Sequence, residues 1–207
     1  MGRGAHSRGT GCAVAAAIYS SKEKMTVRRL MLGVFVMVAT FVLGTSVAAA
    51  APHFTHGGSP VCTITTSGGT ASVSCPTELA GLGEGDLLIE TTVAGFAVYT
   101  CQNQGGNQAP GQNRVLEGPT TTPVLIPGGS IKNGRAAFTA LGSLSAAETV
   151  SGTAAGCPNP NWMGVNPQLT VTDITENISQ AGVLLFTCTA SNPEGLTSPV
   201  ELTCAPA

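Results

Sequence analysis

Short runs of alternating hydrophobic and polar residues recur along the chain after residue 60, separated by glycine, proline and asparagine. A period of two residues is typical of a β-strand with one buried face, and no segment sustains the 3.6-residue period of an amphipathic helix. The pattern predicts strands at residues 61–66, 70–75, 86–93, 96–101, 122–126, 135–141, 169–178, 183–190 and 199–204. Short strands separated by turn residues in this way favour an antiparallel sandwich or barrel.

The first two predicted strands are joined by Gly68-Gly69, which suits a two-residue hairpin turn with positive φ at both positions. Counting outward from this turn pairs Ser67 with Thr70 and, further along, Cys62 with Cys75. The cysteines then occupy a non-hydrogen-bonded pair, whose short Cα separation permits a disulfide. One face of this hairpin carries Cys62, Ile64, Ala71, Val73 and Cys75, and the other carries Thr63, Thr65, Ser72 and Ser74. We therefore predict a Cys62–Cys75 disulfide, which should contribute on the order of 3 kcal/mol to stability.

A weak internal repeat relates residues 94–101 (AGFAVYTC) to residues 181–188 (AGVLLFTC), with identity at four positions. In each copy an aromatic residue, Tyr99 or Phe186, lies two positions before a cysteine and hence on the same strand face. The repeat predicts two equivalent buried strands. Tyr-x-Cys is also a feature of the immunoglobulin F strand, although the tryptophan expected between that fold's two cysteines is missing and Trp162 lies elsewhere. The predicted fold class is therefore all-β, an antiparallel β-sandwich that is immunoglobulin-like in architecture and braced by disulfides.

An apolar run near the N-terminus predicts export. Arg28 and Arg29 precede the uncharged residues 30–43, and small residues follow, ending in an alanine run at 48–51. Basic residues, an apolar core and an A-x-A end describe a secretory signal peptide, for which we place cleavage after Ala50. The alternative is an uncleaved membrane anchor, since residues 30–51 are long enough to span a bilayer.

The signal peptide divides the chain into four parts. Met25 would begin a signal of ordinary length, so residues 1–24 are interpreted as a mis-called or unstructured extension, with a start at Met1 as the alternative. Residues 25–50 are the predicted signal peptide, and residues 51–60 are a predicted flexible segment. Residues 61–207 are predicted to form a single secreted β-sandwich domain, a length that suffices for one hydrophobic core.

Removal of the signal peptide changes the charge of the protein. From residue 51 onward the chain has three basic residues against ten acidic ones, a formal charge of −7, compared with −2 for the whole chain. So acidic a protein has no basic surface for nucleic acid or for an anionic membrane. We therefore predict no nucleic-acid partner and no membrane insertion after cleavage.

Six of the seven cysteines lie beyond the predicted signal peptide. An even number of cysteines in an exported chain predicts a disulfide framework and a secreted, extracellular protein. Besides the hairpin pair, these are Cys101, Cys157, Cys188 and Cys204. Of the three connectivities open to four cysteines we favour Cys101–Cys157 and Cys188–Cys204, and the other two remain open.

The exported part of the chain offers little for catalysis. Its only histidines, His53 and His56, lie in the predicted flexible segment, so no rigidly held imidazole is available for a Ser-His-Asp or Cys-His set. Carboxylates cluster at Glu84, Asp86 and Glu90 and again at Asp173 and Glu176. A glycosidase needs facing carboxylates in a cleft usually lined by aromatic residues, which are few here, so we interpret both clusters as solvated strand-end carboxylates. No catalytic residue, metal site or cofactor is predicted.

Two segments carry side chains suited to ligand contact. Residues 102–113 read QNQGGNQAPGQN, and the amides of Gln102, Asn103 and Asn107 can bind sugar hydroxyls, with a flexible polar loop as the alternative. Trp162 is the only tryptophan and lies close to Cys157 and two prolines. It is a candidate ligand platform, and the alternative is that it packs on the disulfide and caps the core.

Three segments, GGNQAPGQN (105–113), KNGR (132–135) and AGCPNPNW (155–162), carry a resemblance to small secreted proteins of actinobacteria that have no assigned activity. The resemblance covers most of the region after the signal peptide. It implies export and a β-rich domain, and it transfers no activity and no catalytic residues.

The sequence as a whole predicts a secreted, non-catalytic β-sandwich that acts in cell-surface interaction or structure, with an extracellular protein or a glycan as its partner. The first alternative is a secreted carbohydrate-binding or hydrolytic protein that uses Trp162 and acidic residues. A further alternative is a secreted protease inhibitor, in which the disulfide-held loop at Cys101 is the bait.

Overall fold

The computed structural model describes residues 50–55 and 58–207, which belong to one compact unit. The predicted N-terminal extension, all but the last residue of the predicted signal peptide, and His56 lie outside the described residues. Within the described residues, no helix is long and apolar enough to cross a membrane.

The described residues form twelve β-strands and two short helical segments. The strands are β1 (His53–Phe54), β2 (Val61–Ser67), β3 (Thr70–Ala80), β4 (Leu87–Gln102), β5 (Gln108–Pro110), β6 (Val115–Ile126), β7 (Arg135–Ser145), β8 (Val150–Ser151), β9 (Met163–Gln180), β10 (Val183–Ser191), β11 (Val200–Glu201) and β12 (Thr203–Pro206). The helical segments are a 3-10 turn (Gly128–Ser130) and the one-turn helix α1 (Gly152–Ala155).

The strands form two antiparallel sheets that pack together as a sandwich. In the first sheet the order is β7–β3–β2–β11, and β1 lies beside the end of β3. In the second the order is β12–β10–β9–β4–β5, with β6 also beside β4 and β8 also beside β9. The inward faces of both sheets form one hydrophobic core. The predicted all-β antiparallel sandwich is therefore confirmed.

Alternation of buried and exposed residues follows the predicted period of two. β7 alternates without interruption over eleven residues, so that Ala136, Phe138, Ala140, Gly142 and Leu144 face the core. A Cβ on Gly142 would lie 2.6 Å from Cγ2 of Val93, so a larger residue would force β7 away from β4. The absence of a side chain at Gly142 thus allows β7 to pack closely against β4 at this point.

The β2–β3 hairpin has the predicted register. Ser67 pairs with Thr70 and Thr63 with Ser74, and the Cα atoms of Cys62 and Cys75 lie 4.1 Å apart in the next position outward. The turn differs in one detail, because Gly68 has a positive φ of 56° whereas Gly69 does not. The predicted inward face is buried apart from Ile64, which is half-buried.

Three disulfides brace the described residues, and they join the predicted pairs: Cys62–Cys75, Cys101–Cys157 and Cys188–Cys204. The first joins neighbouring strands of the first sheet, and the third joins β10 to β12, whose residues Cys188 and Cys204 are directly opposite. The second ties the end of β4 to Cys157, the second residue after α1. Three such bonds indicate that the chain folds in an oxidising compartment, as expected of an exported protein.

The internal repeat holds only in part. Tyr99 and Phe186 are both buried in the second sheet, two residues before their cysteines, as predicted. The Ala-Gly pair that begins each copy has a different conformation in the two places. Residues 94–95 form an irregularity within β4, whereas residues 181–182 form the turn between β9 and β10. Strands predicted at 86–93 and 96–101 are consequently one long strand.

Other differences concern short strands. The last predicted strand, 199–204, is divided between the sheets, because Leu202 is buried between β11 and β12. Strands β1, β5 and β8 were not predicted, since two or three residues give no recognisable alternation. The mobility of residues 51–60 stays a prediction, but His53 and Phe54 pair there with Ala80 and Leu79.

Candidate functional site

The predicted ligand residues lie near the end of the second sheet where β4 ends and β9 begins. Gln102 pairs with Met163, the residue after Trp162, and also with Gln108 of β5. Trp162 is half-buried and packs against the hydrophobic core, as does Cys157. Trp162 therefore contributes to the core, and its role as a ligand platform stays a prediction.

Several amides of residues 102–113 bind the protein's own backbone. Oδ1 of Asn103 accepts a hydrogen bond from the backbone N–H of Asn107 at 2.9 Å, which closes the turn between β4 and β5. The side chain of Asn113 donates to the carbonyl oxygens of Thr153 and Ala154 at the end of α1. The segment is thus ordered by its own amides, which leaves fewer of them for a ligand than the composition implies.

The first carboxylate cluster does not converge on a site. Asp86 accepts a hydrogen bond from the backbone N–H of Gly128 at 2.8 Å, which anchors the 3-10 turn. Glu90 is exposed on the outer face of the second sheet, and Glu84 lies in the loop before β4. These groups therefore have separate positions, and Asp86 has a structural contact.

The second carboxylate cluster is divided between two faces of β9. Asp173 lies on the outer face, where it accepts hydrogen bonds from the hydroxyls of Thr172 and Ser191. Glu176 lies on the inner face and is fully buried, so the interpretation of Glu176 as a solvated carboxylate is wrong. An odd separation along a strand places two residues on opposite faces, and these two carboxylates cannot act as a pair.

The Glu176 carboxyl lies in an apolar setting without a hydrogen-bond partner among the described residues. Its neighbour on β4 is Thr91, whose buried hydroxyl likewise has no partner there, and its neighbour on β10 is Cys188. One carboxylate oxygen and the sulfur atoms of Cys62 and Cys75 lie within 4.8 Å of one another. Because both sulfurs are in a disulfide, they do not provide thiolate ligands for a metal. Burial raises the pKa of Glu176 from 4.5 to about 7.

The sequence held a signal for this burial. Ile174 and Ile178 flank Glu176 at a spacing of two, and both face the core. The phase of the alternation therefore places Glu176 inside, whatever its residue type. Carboxylates are usually exposed, and this general preference gave the wrong position for Glu176.

The outer face of the first sheet is a regular array of small hydroxyl groups, which we call the hydroxyl face. It comprises three rows across β7, β3 and β2: Ser145–Thr70–Ser67, Ser143–Ser72–Thr65 and Leu141–Ser74–Thr63. Eight of its nine side chains are serine or threonine, none is charged, and all are exposed except Ser74, which is half-buried. Neighbouring rows are separated by two residues of extended chain, about 7 Å.

A groove of about 730 Å³ lies at one end of the hydroxyl face. Its walls are the β2–β3 turn, the end of β7 with the segment that follows, and residues 165–168 of β9. Thr70 and Ser145 belong both to the groove and to the first row of the hydroxyl face. The groove also has the exposed polar side chains of Glu148, Thr149 and Asn166 beside apolar lining residues, so it is an open site of mixed polarity and of ligand-binding size.

The groove is held in place by contacts beneath it. The hydroxyl of Tyr99 donates a hydrogen bond to the carbonyl oxygen of Ala147 at 2.9 Å, next to Glu148. The β2–β3 turn is tied on two sides, because Leu169 N–H donates to Gly68 O and Ala146 N–H donates to Gly69 O. A buried tyrosine and two backbone hydrogen bonds thus fix three walls that come from distant parts of the sequence.

The outer face of the second sheet carries a different pattern. Five threonines form one row across five strands: Thr121, Thr92, Thr175, Thr189 and Thr203. The neighbouring row includes Glu90 and Pro123. This face therefore has one row of hydroxyl groups, whereas the hydroxyl face of the first sheet has three. A substitution in this threonine row can therefore serve as a control for a substitution in the hydroxyl face.

Comparison with known proteins assigns no family to this arrangement. No family model matches the chain, and no curated protein is detectably similar to it. The class of protein that the structure itself defines is a disulfide-braced, two-sheet β-sandwich.

Proposed function

We propose that the protein is a secreted, non-catalytic binding domain that acts at a cell surface. The observation that carries the proposal is the hydroxyl face, an exposed and uncharged surface on an otherwise acidic domain, together with the adjoining groove, whose one charged lining residue is Glu148. Contiguous surfaces that lack the charges found elsewhere on a protein are typical of interaction sites. The three disulfides support the extracellular location.

Immunoglobulin-like architecture remains part of the proposal. Two packed antiparallel sheets and the buried Tyr99 before Cys101 support it. Three disulfides argue against it. Cys62–Cys75 joins strands of the first sheet, Cys188–Cys204 joins strands of the second, and Cys101–Cys157 joins β4 to the segment after α1. The immunoglobulin disulfide joins the two sheets, so the likeness to that fold is in the packing of two sheets and does not extend to the disulfides.

The proposal is tested by binding to cells combined with assays for turnover. Because of the resemblance to secreted actinobacterial proteins, intact actinobacterial envelopes are the appropriate target. We expect the full chain, produced with export to an oxidising compartment, to sediment with the envelopes in a saturable manner. It should release neither reducing sugar nor peptide from them. Absence of binding, or release of product that scales with protein concentration, would contradict the proposed function.

A further inference from the structure

We propose that the groove binds a neutral glycan chain, which continues from the groove onto the hydroxyl face. This inference rests on the proposed function, because it names the ligand and the site of a cell-surface binding domain. The ligand class follows from the hydrogen-bonding groups, the charge and the shape of the site.

The groove has free hydrogen-bonding groups of complementary types. The side chains of Glu148, Thr149, Asn166 and Gln168 line it, are exposed, and form no hydrogen bond or ion pair with the described residues. They offer a carboxylate acceptor, a hydroxyl, and two amides that both donate and accept. Adjacent sugar hydroxyls also donate and accept, so a glycan can satisfy these groups in pairs. Val165 and Pro167 add apolar surface against which the C–H face of a sugar ring can pack.

The groove is formed before any ligand binds. A Cβ on Gly69 would lie 2.7 Å from Cγ of Pro167, so the β2–β3 turn packs directly against β9. There is no room for a side chain at position 69. Asn166 adopts a positive φ of 53°, a conformation that asparagine tolerates better than most residues. A site whose walls are fixed in advance loses less conformational entropy on binding.

Charge excludes an anionic ligand. The three cations of the described residues all have partners outside the groove and the hydroxyl face. Arg114 pairs with Glu194, Lys132 donates to the carbonyl oxygen of Gly129, and Arg135 pairs with Glu78. A phosphate or uronate would therefore meet Glu148 and no opposing charge, whereas a neutral chain meets no repulsion.

Shape favours an extended polymer over a folded protein. The hydroxyl face is continuous with the groove through Thr70 and Ser145, and eight of its nine side chains are short serines and threonines. Repeated hydroxyls at regular intervals suit a ligand whose own hydroxyls repeat. A polypeptide ligand is the outcome that the test must distinguish.

The experiment measures binding of the full chain to immobilised neutral gluco-, manno- and galacto-oligosaccharides, with a polyuronate as the charged comparison. Asn166→Gly removes the amide and keeps the backbone, because glycine adopts positive φ freely. Ser72→Glu places a charge in the middle of the hydroxyl face. We expect each to weaken binding to the preferred neutral glycan by about tenfold or more, equivalent to one lost hydrogen bond or one unfavourable charge. The polyuronate should not bind.

Matched controls locate the site. Thr189→Glu adds the same charge to the threonine row of the other sheet, and Trp162→Ala removes the candidate platform near the end of β4. Both should retain binding. Loss of glycan binding in Trp162→Ala, with retention in Asn166→Gly, would overturn the inference. Failure of every neutral glycan to bind would also overturn it, while saturable envelope binding would still support the proposed function. Envelope binding that is removed by protease treatment of the envelopes would assign a polypeptide ligand instead.

Discussion

Replacing Glu176 by methionine should raise the free energy of unfolding by about 1–3 kcal/mol in acid, the ordinary cost of burying an unpaired polar group. Methionine has a similar length and needs no hydrogen bond. At pH 8 the gain should be larger by about 3 kcal/mol, because the wild-type carboxyl must then ionise inside the core. Urea unfolding of both proteins at several pH values measures the difference.

The same reasoning gives the sign of the pH dependence in the wild type. Burial raises the pKa of Glu176 to about 7 in the folded state, so between pH 4.5 and about 7 the folded protein holds a proton that the unfolded chain has lost. The contribution of Glu176 to stability is therefore greatest below pH 4.5 and is lost as the pH rises from there to about 7, where the folded carboxyl also ionises. A carboxylate whose pKa is lowered by an ion pair, such as Glu194 beside Arg114, acts in the opposite sense and at lower pH, because its contribution is lost as the pH falls below 4.5.

Two further variants isolate the effect. Glu176→Gln removes the titration but keeps a buried polar group, so its stability should vary less with pH without the full gain of methionine. Glu90→Gln removes an exposed carboxylate on the outer face of β4 and should leave the wild-type profile unchanged. Parallel pH profiles for the wild type and Glu176→Met would show that Glu176 does not carry the dependence.

Removal of the Cys101–Cys157 disulfide by a double alanine substitution should cost about 4 kcal/mol, because this bond closes the longest loop, with a sequence separation of 56. The corresponding Cys188→Ala/Cys204→Ala variant, with a separation of 16, should cost about 3 kcal/mol. Using alanine at both positions avoids a free thiol. Equilibrium unfolding in urea gives both values, provided that the other two disulfides are intact by mass spectrometry.

The order of these two losses matters more than their size. A greater loss for Cys188–Cys204 would show that loop closure in the unfolded chain does not set the contribution of the disulfides. It would instead place their effect in the folded state, for example in the packing of Cys188 beside Glu176.

Local patterns in the sequence were sufficient for part of this structure. Gly68-Gly69 and the alternation around Cys62 and Cys75 determined the hairpin register, because the turn and both strand segments lie within fourteen residues of sequence. The longer strands were located by alternation for the same reason, although their ends and the shortest strands were not. The copies of the repeat diverged at residues 94–95 and 181–182, because an Ala-Gly pair can form either an irregularity or a turn, and tertiary pairing decides which.

The candidate site could not be predicted in the same way. Its groove combines residues 68–70, four of residues 145–149 and residues 165–168, and nothing in any one segment indicates that the three meet. The polar face of β2 and β3 was predicted, but the register that adds Ser143 and Ser145 of β7 depends on a pairing over seventy residues. The predicted contacts at Asn103 and Trp162 rested on residue type alone. In the structure the Asn103 side chain binds the backbone and Trp162 packs on the core.

The most direct test of the binding site is a nuclear magnetic resonance titration of the isotopically labelled protein with the neutral oligosaccharide that binds best. Saturable shifts should appear in the amide signals of Glu148, Asn166 and Gln168 and extend to Thr70 and Ser72. Shifts confined to Gln102, Asn107 and the indole of Trp162, or no shifts at all, would contradict the assignment of the groove and hydroxyl face as the site.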